Sequence, residues 1–150
     1  MIVYSALNII IMTVFSYYSK AVPELFLVSV ILLAYKKNIN KNYLKIYALL
    51  GGYFSDVFYF SEYPVHTLLY FIIFMIVFYK LKDFIFFNFS NLLKIFTIVF
   101  LLEKFSLMTF DYLLNTKSGF EGFKLLSEFF FSSLFLFFYY KIFIKFKFNR

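Results

Sequence analysis

The chain has no cysteine, no tryptophan, one histidine, two prolines and four glycines in 150 residues. Lacking cysteine, it can form no disulfide, offers no thiol nucleophile, and carries no signal of redox compartment. A single histidine without cysteine cannot complete a closed zinc site, and no H-E-x-x-H pair is present, so no metal and no cofactor are expected. G-x-S-x-G, the P-loop and the dinucleotide-binding glycine pattern are all missing, as is any pairing of histidine and acid with a nucleophile. No enzymatic chemistry is therefore expected. Alternation with period two is almost absent, which argues against a membrane β-barrel. Charged residues make up only 15% of the chain.

What is present is apolar and aromatic. Hydrophobic residues account for 63% and aromatic residues for 27%, with 27 Phe and 14 Tyr, and mean hydropathy is +0.83. Ordinary soluble domains are nearer half apolar. The apolar residues fall in continuous blocks, which in hydrocarbon are expected to be helices that satisfy their own backbone. The net charge is +7, but the basic residues lie between apolar blocks. Topology accounts for that better than nucleic acid.

Six blocks can be marked along one domain covering residues 1–150: Ile2–Tyr18, Ala21–Tyr35, Ile46–Phe60, Pro64–Tyr79, a fifth from Phe84, and a sixth from about Leu125 to Ile144. The first lacks a basic leader and a clear cleavage site, so it is expected to be a retained helix. Pro23 and Pro64 stand at helix starts, where a missing N–H costs nothing. Several blocks are shorter than the ~20 residues that cross a bilayer core, and flanking Tyr and Lys can extend them. The fifth block can be drawn two ways. Phe84–Leu102 places Lys94 inside it as a possible intramembrane charge. Ile95–Leu114 instead buries Glu103, Lys104 and Asp111. The first drawing is the less expensive, because it buries fewer ionisable groups. It leaves residues 103–122, with Gly119 and Gly122, as the largest outer loop. Basic clusters at Lys36, Lys37, Lys41 and Lys45, at Lys80 and Lys82, and at Lys141, Lys145, Lys147 and Arg150 fall on one side of six spans. The other side carries Lys20, Glu24, Glu62, Lys117 and Glu121 and is mixed in sign. The positive-inside rule then predicts an all-α, polytopic membrane bundle with both termini cytoplasmic.

Within the third block Gly51, Gly52 and Asp56 form G-G-x-x-x-D. Gly52 and Asp56 are four apart and share a helix face, and small residues permit close helix approach. This suggests a helix-packing or partner seam. Asp56 is expected either to cap a helix near an outer surface, with Ser55 and Ser61 alongside, or to make a polar contact in the bundle or with a partner. Tyr and Ser hydroxyls, or a partner's basic residue, are the expected donors. His66 is expected to cap or to sit at an interface.

These features together resemble the MreD family of bacterial rod-shape proteins. The likeness lies in an apolar first helix, a Pro-led second (VPELFLVSVILLAY), a basic stretch, and a Gly-pair helix with an acid (LLGGYFSDVFY). The turn F-S-E-Y-P departs from the glycine usual there. The resemblance implies a non-catalytic scaffold of the cell-wall elongation complex in the bacterial inner membrane. Its implied partners are the lipid bilayer, an MreC-like protein and, through the complex, MreB-like and peptidoglycan-synthesising proteins. The implied fold is similar to the substrate-binding subunits of energy-coupling-factor transporters. That makes a vitamin-type substrate-binding subunit the alternative.

Overall fold

The computed structural model describes residues 2–18, 21–35, 40–58, 63–77, 79, 87–113 and 122–148. Among them are six helices: α1 (Ile2–Tyr18), α2 (Leu25–Ala34), α3 (Lys41–Phe58), α4 (Val65–Ile76), α5 (Phe89–Leu113) and α6 (Gly122–Phe148).

The bundle is organised around α2. Its sequence, LFLVSVILLA, is apolar on every face, and all ten residues are buried. A helix hydrophobic all round belongs inside a core, and α2 packs against each of the other five helices. Phe26, Leu27 and Ile31 on α2 meet Tyr70 and Phe74 of α4, Phe96 and Phe100 of α5 and Leu136 of α6 in one continuous core. α3 and α4 form the closest helix pair. The reason is Gly52: a Cβ built there would lie 2.4 Å from Thr67 Cα and 2.7 Å from His66 O. Only glycine lets the two backbones touch. At Gly51 an added Cβ would lie 3.0 Å from the Phe26 Cβ.

A second polar centre ties the bundle together. Asn8 of α1 donates from Nδ2 to Ser29 Oγ (2.9 Å) and Tyr47 OH (3.2 Å), and its Oδ1 accepts from Tyr139 OH (2.7 Å). One fully buried amide thus joins α1, α2, α3 and α6.

The expectation of six membrane spans is overturned. Among the described residues one helix, Gly122–Ile142 within α6, is long and apolar enough to cross a membrane. α2 and α4, with 10 and 12 residues, reach only about 15 and 18 Å at 1.5 Å per residue, against a core of about 30 Å. α3 carries Lys41, Lys45 and Asp56, and α5 is interrupted by Lys94, Glu103, Lys104 and Asp111. The polytopic topology, the multi-pass inner-membrane location and its cytoplasmic termini fall with that count. The loop residues Lys20, Lys36, Lys37, Ser61, Glu62, Lys80, Lys82, Lys117, Gly119, Glu121 and Arg150 lie outside the described residues.

Three local features are placed as follows. α5 runs unbroken from Phe89 to Leu113, so Glu103 and Lys104 lie in a helix and are buried, not in an outer loop. Lys94 is exposed on the outer face of α5, so the interior cation is Lys104. The prolines precede their helices: Pro64 occupies the N-cap position of α4, and Pro23 stands one residue before the N-cap Glu24 of α2.

Candidate functional site

The start of α4 explains how the site is built. Its N-cap is Pro64, whose side chain can accept no hydrogen bond. The first amides of a helix need acceptors. Asp56 of α3 supplies them. Oδ1 accepts from His66 N (2.8 Å) and Oδ2 from Thr67 N (3.0 Å) and Thr67 Oγ1 (2.6 Å). The close approach allowed by Gly52 brings Asp56 within reach, so Gly52 and Asp56 meet α4 along one face. The Asp56 donors are therefore the α4 backbone, Thr67 and His66, in place of the Tyr and Ser hydroxyls expected. Ser55 is buried and donates to Tyr70 OH at 3.2 Å. Burial raises the Asp56 carboxyl, but hydrogen bonds from His66 and Thr67 outweigh it and hold the group below its usual range.

Asp56 Oδ1 also stands 2.9 Å from His66 Nδ1. A carboxylate only accepts, so Nδ1 carries the proton, and in the neutral ring Nε2 presents its lone pair. Nε2 faces Glu103 Oε1 at 3.8 Å. His66 is 1% exposed and Glu103 is fully buried.

Around this pair four helices converge. Glu24, at the N-terminus of α2, accepts from Tyr70 OH at Oε2 (2.5 Å) and from Lys104 Nζ at Oε1 (2.6 Å), and its own N–H donates to Ser132 Oγ (2.8 Å). Lys104 Nζ also lies 3.1 Å from Glu128 Oε2 on α6. Ligand atoms of Glu24, His66 and Glu103 all fall within 4.8 Å of one another.

Among the described residues the charges do not balance. Asp56, Glu24, Glu103 and Glu128 are four buried carboxyls near one buried ammonium and one buried imidazole. Burial raises the Glu24 carboxyl, but Lys104 and then His66 outweigh it and keep it ionised. Burial pushes Glu103 up strongly and the charge of Glu24 adds to it. Neither oxygen of Glu103 has a hydrogen-bond partner among the described residues, and neither does Glu128 Oε1. A buried carboxylate left in that state costs several kcal/mol, so it must take up a proton or a cation. For Lys104 burial opposes the charged form, and Glu24, Glu103 and Glu128 overcome it.

Sequence reasoning placed Gly51, Gly52 and Asp56 on one helix and noticed His66, but it missed Glu24, Tyr70, Glu103, Lys104 and Glu128. One signal was available. Glu103–Lys104 is an adjacent acid–base pair inside a strongly apolar run, and such a pair is retained in a core only when other charges meet it.

No family model matches the chain, and no characterised protein or solved structure matches it. The MreD resemblance is thereby corrected. The structure is a six-helix all-α domain with one helix that meets the requirements of a span. The acid that carried the resemblance turns inward, to cap α4 and hold His66. The scaffold function and the transporter-subunit alternative go with it, and the MreC-like, MreB-like and peptidoglycan-synthesising partners lose their support.

Proposed function

We propose that the chain is a cation-binding helical protein whose core takes up one divalent transition-metal ion at Glu24, His66 and Glu103. The observation that carries the reading is Glu103: fully buried, both oxygens without a hydrogen-bond partner among the described residues, and facing the imidazole. The arrangement of His66 supports it. A metal-binding histidine usually gives its other ring N–H to a carboxylate, which fixes the tautomer and aims the ligand nitrogen, and Asp56 stands in that position. One nitrogen and two carboxylates suit ions such as zinc, manganese or iron(II) better than calcium or magnesium. Ligand atoms around such an ion at about 2.1 Å stand about 3.4 Å apart in tetrahedral geometry. The three groups would therefore draw in by roughly 1 Å. With all three at or below 1% exposure, the centre favours binding over turnover of a substrate.

The test is equilibrium dialysis of purified protein against zinc, manganese and cobalt, with the cobalt absorption spectrum as a reporter of ligand type. One ion per chain is expected. Glu103→Gln keeps the shape of the side chain and should weaken binding about tenfold or more, as should His66→Gln. A wild-type protein that retains no divalent ion, or a Glu103→Gln variant that binds as well as wild type, ends the reading.

A separate observation favours the lipid bilayer as a partner of one face. In the Gly122–Ile142 stretch only Glu128, Ser132, Leu136 and Tyr139 are buried, and Phe123, Leu126, Phe130, Phe137 and Phe138 are exposed. Lys141 folds its ammonium 5.4 Å over the Phe137 ring, as a lysine does where an apolar face meets polar headgroups. Flotation with anionic vesicles should carry wild type, and Phe130→Glu with Phe137→Glu should abolish it. Equal flotation of the variant refutes the contact.

A further inference from the structure

We propose that Lys104 is a resident cation which an incoming metal ion displaces from Glu24 onto Glu128, so that Glu128 sets the metal affinity without being a ligand. The inference rests on the cation-binding reading and adds its regulation.

Both oxygens of Glu24 are engaged, Oε2 by the Tyr70 hydroxyl and Oε1 by the Lys104 ammonium. A metal ion needs one of them. The hydroxyl is neutral and tolerates a nearby cation. The ammonium does not: two cations sharing one carboxylate in a buried site repel each other strongly, because little water screens them. Lys104 must therefore leave Glu24 when the ion enters.

The structure provides its destination. Glu128 Oε2 is 3.1 Å from Lys104 Nζ, and Glu128 is not among the residues whose ligand atoms cluster with Glu24, His66 and Glu103. Glu128 is 3% exposed, and its Oε1 accepts no hydrogen bond among the described residues. A small movement of the flexible lysine stem exchanges a shared ammonium for one held by Glu128 alone. The Phe100 ring lies 5.2 Å from Nζ. The Glu128 backbone is tied to the α2 terminus through Ser132, whose Oγ donates to Glu128 O (2.6 Å) and accepts from Glu24 N (2.8 Å). The main-chain positions that carry donor and receiver of the ammonium are thus linked.

The experiment is a double-mutant cycle read as metal affinity on the full chain, with zinc and cobalt as the probes. Lys104→Met removes the competitor and should tighten binding about tenfold or more, whereas Glu128→Gln leaves the ammonium on Glu24 and should weaken it by a similar factor. In the Lys104→Met background, Glu128→Gln should then have little effect. A Glu128 that merely attracts cations at a distance predicts the same weakening in both backgrounds, and that result overturns the proposal. Unchanged affinity in the Glu128→Gln single variant overturns it as well, and needs no variant that removes the lysine. Failure of the cation-binding reading is distinct: there wild type itself binds no ion.

Discussion

A methyl group at position 52 should separate α3 from α4. The Cβ of Gly52→Ala would stand 2.4 Å from Thr67 Cα, 2.7 Å from Thr67 N and 2.7 Å from His66 O. All three are backbone atoms, so no rotamer change relieves the clash. Ordinary contact begins at 3.4 Å, so α4 must retreat by about 1 Å. The Asp56 bonds to His66 N and Thr67 N, at 2.8 and 3.0 Å, would stretch past the useful range for N–H···O contacts. Overpacking costs about 1–3 kcal/mol, and weakening charge-assisted bonds at a helix start adds about 1.5–3 kcal/mol. Alanine returns about 1 kcal/mol of helix propensity. The net loss expected is roughly 1.5–5 kcal/mol. Gly51→Ala is the control. Its Cβ would stand 3.0–3.1 Å from Phe26 Cβ, Cγ and Cδ1, so α2 need give by only a few tenths of an ångström, at a cost near the ~1 kcal/mol gained in propensity. Urea denaturation followed by circular dichroism measures both. A Gly52→Ala variant within about 0.5 kcal/mol of Gly51→Ala would refute the argument that backbone contact at this seam sets the site.

Asp56→Asn should lower stability at neutral pH by about 1–3 kcal/mol, since an amide accepts less strongly and cannot match four donors. The Asp56 carboxyl is depressed in the fold below 3.8, so its contribution is fully present above that value and is lost as pH falls through the folded value. The gap between wild-type and variant unfolding curves should therefore close in acid; a gap that persists to the lowest pH refutes the pairing. Asn8→Ala removes the buried amide that bonds Ser29, Tyr47 and Tyr139 and should cost about 2–4 kcal/mol. Combining it with Tyr139→Phe should add much less than the sum of the singles in thermal unfolding. Lys94→Met should stay within about 0.5 kcal/mol of wild type, as surface changes do, because Lys94 is exposed.

The helices were legible in the sequence to the extent that local pattern dictates them. The first apolar block coincides with α1, Ile2–Tyr18. The start of α4 follows Pro64, and the Gly-Gly-x-x-x-Asp face lies along α3 because a four-residue spacing is a local property. Membrane crossing was inferred from composition, which cannot distinguish an apolar helix buried in its own bundle from one facing lipid. α2 shows the difference. Its ten residues are as apolar as a span, but they serve as the core of the other five helices.

The site was not legible, for a reason that concerns energy and distance. Glu24 and Lys104 are 80 positions apart, and Glu24 meets Ser132 across 108. No local pattern encodes such pairs. The rule that buried charge is expensive then pointed the wrong way, placing Glu103 and Lys104 outside the bundle. The expense applies to uncompensated charge. A lysine held between Glu24 and Glu128 offsets much of its desolvation.

The same reasoning connects the fold to the chemistry. Glu24 lies at the N-terminus of α2, where the helix dipole favours a carboxylate, and His66 lies in the first turn of α4, held by Asp56. The Glu24 carboxylate and the Nδ1 side of the His66 ring are satisfied by their own neighbours. Glu103 is not: it is fully buried on α5, and neither of its oxygens accepts a hydrogen bond from any described group. A core can keep one such group only if its neutralisation is worth more than an apolar residue in its place. Protonation would neutralise Glu103 but would leave Glu24, Asp56 and Glu128 facing a single ammonium. A divalent ion at Glu24, His66 and Glu103 neutralises the surplus at its centre, and moving Lys104 towards Glu128 spreads the remainder. The proposed ion would account for the placement of Glu24 and Glu103 and, through Lys104, of Glu128, while Asp56 is already satisfied as the cap of α4 and the partner of His66.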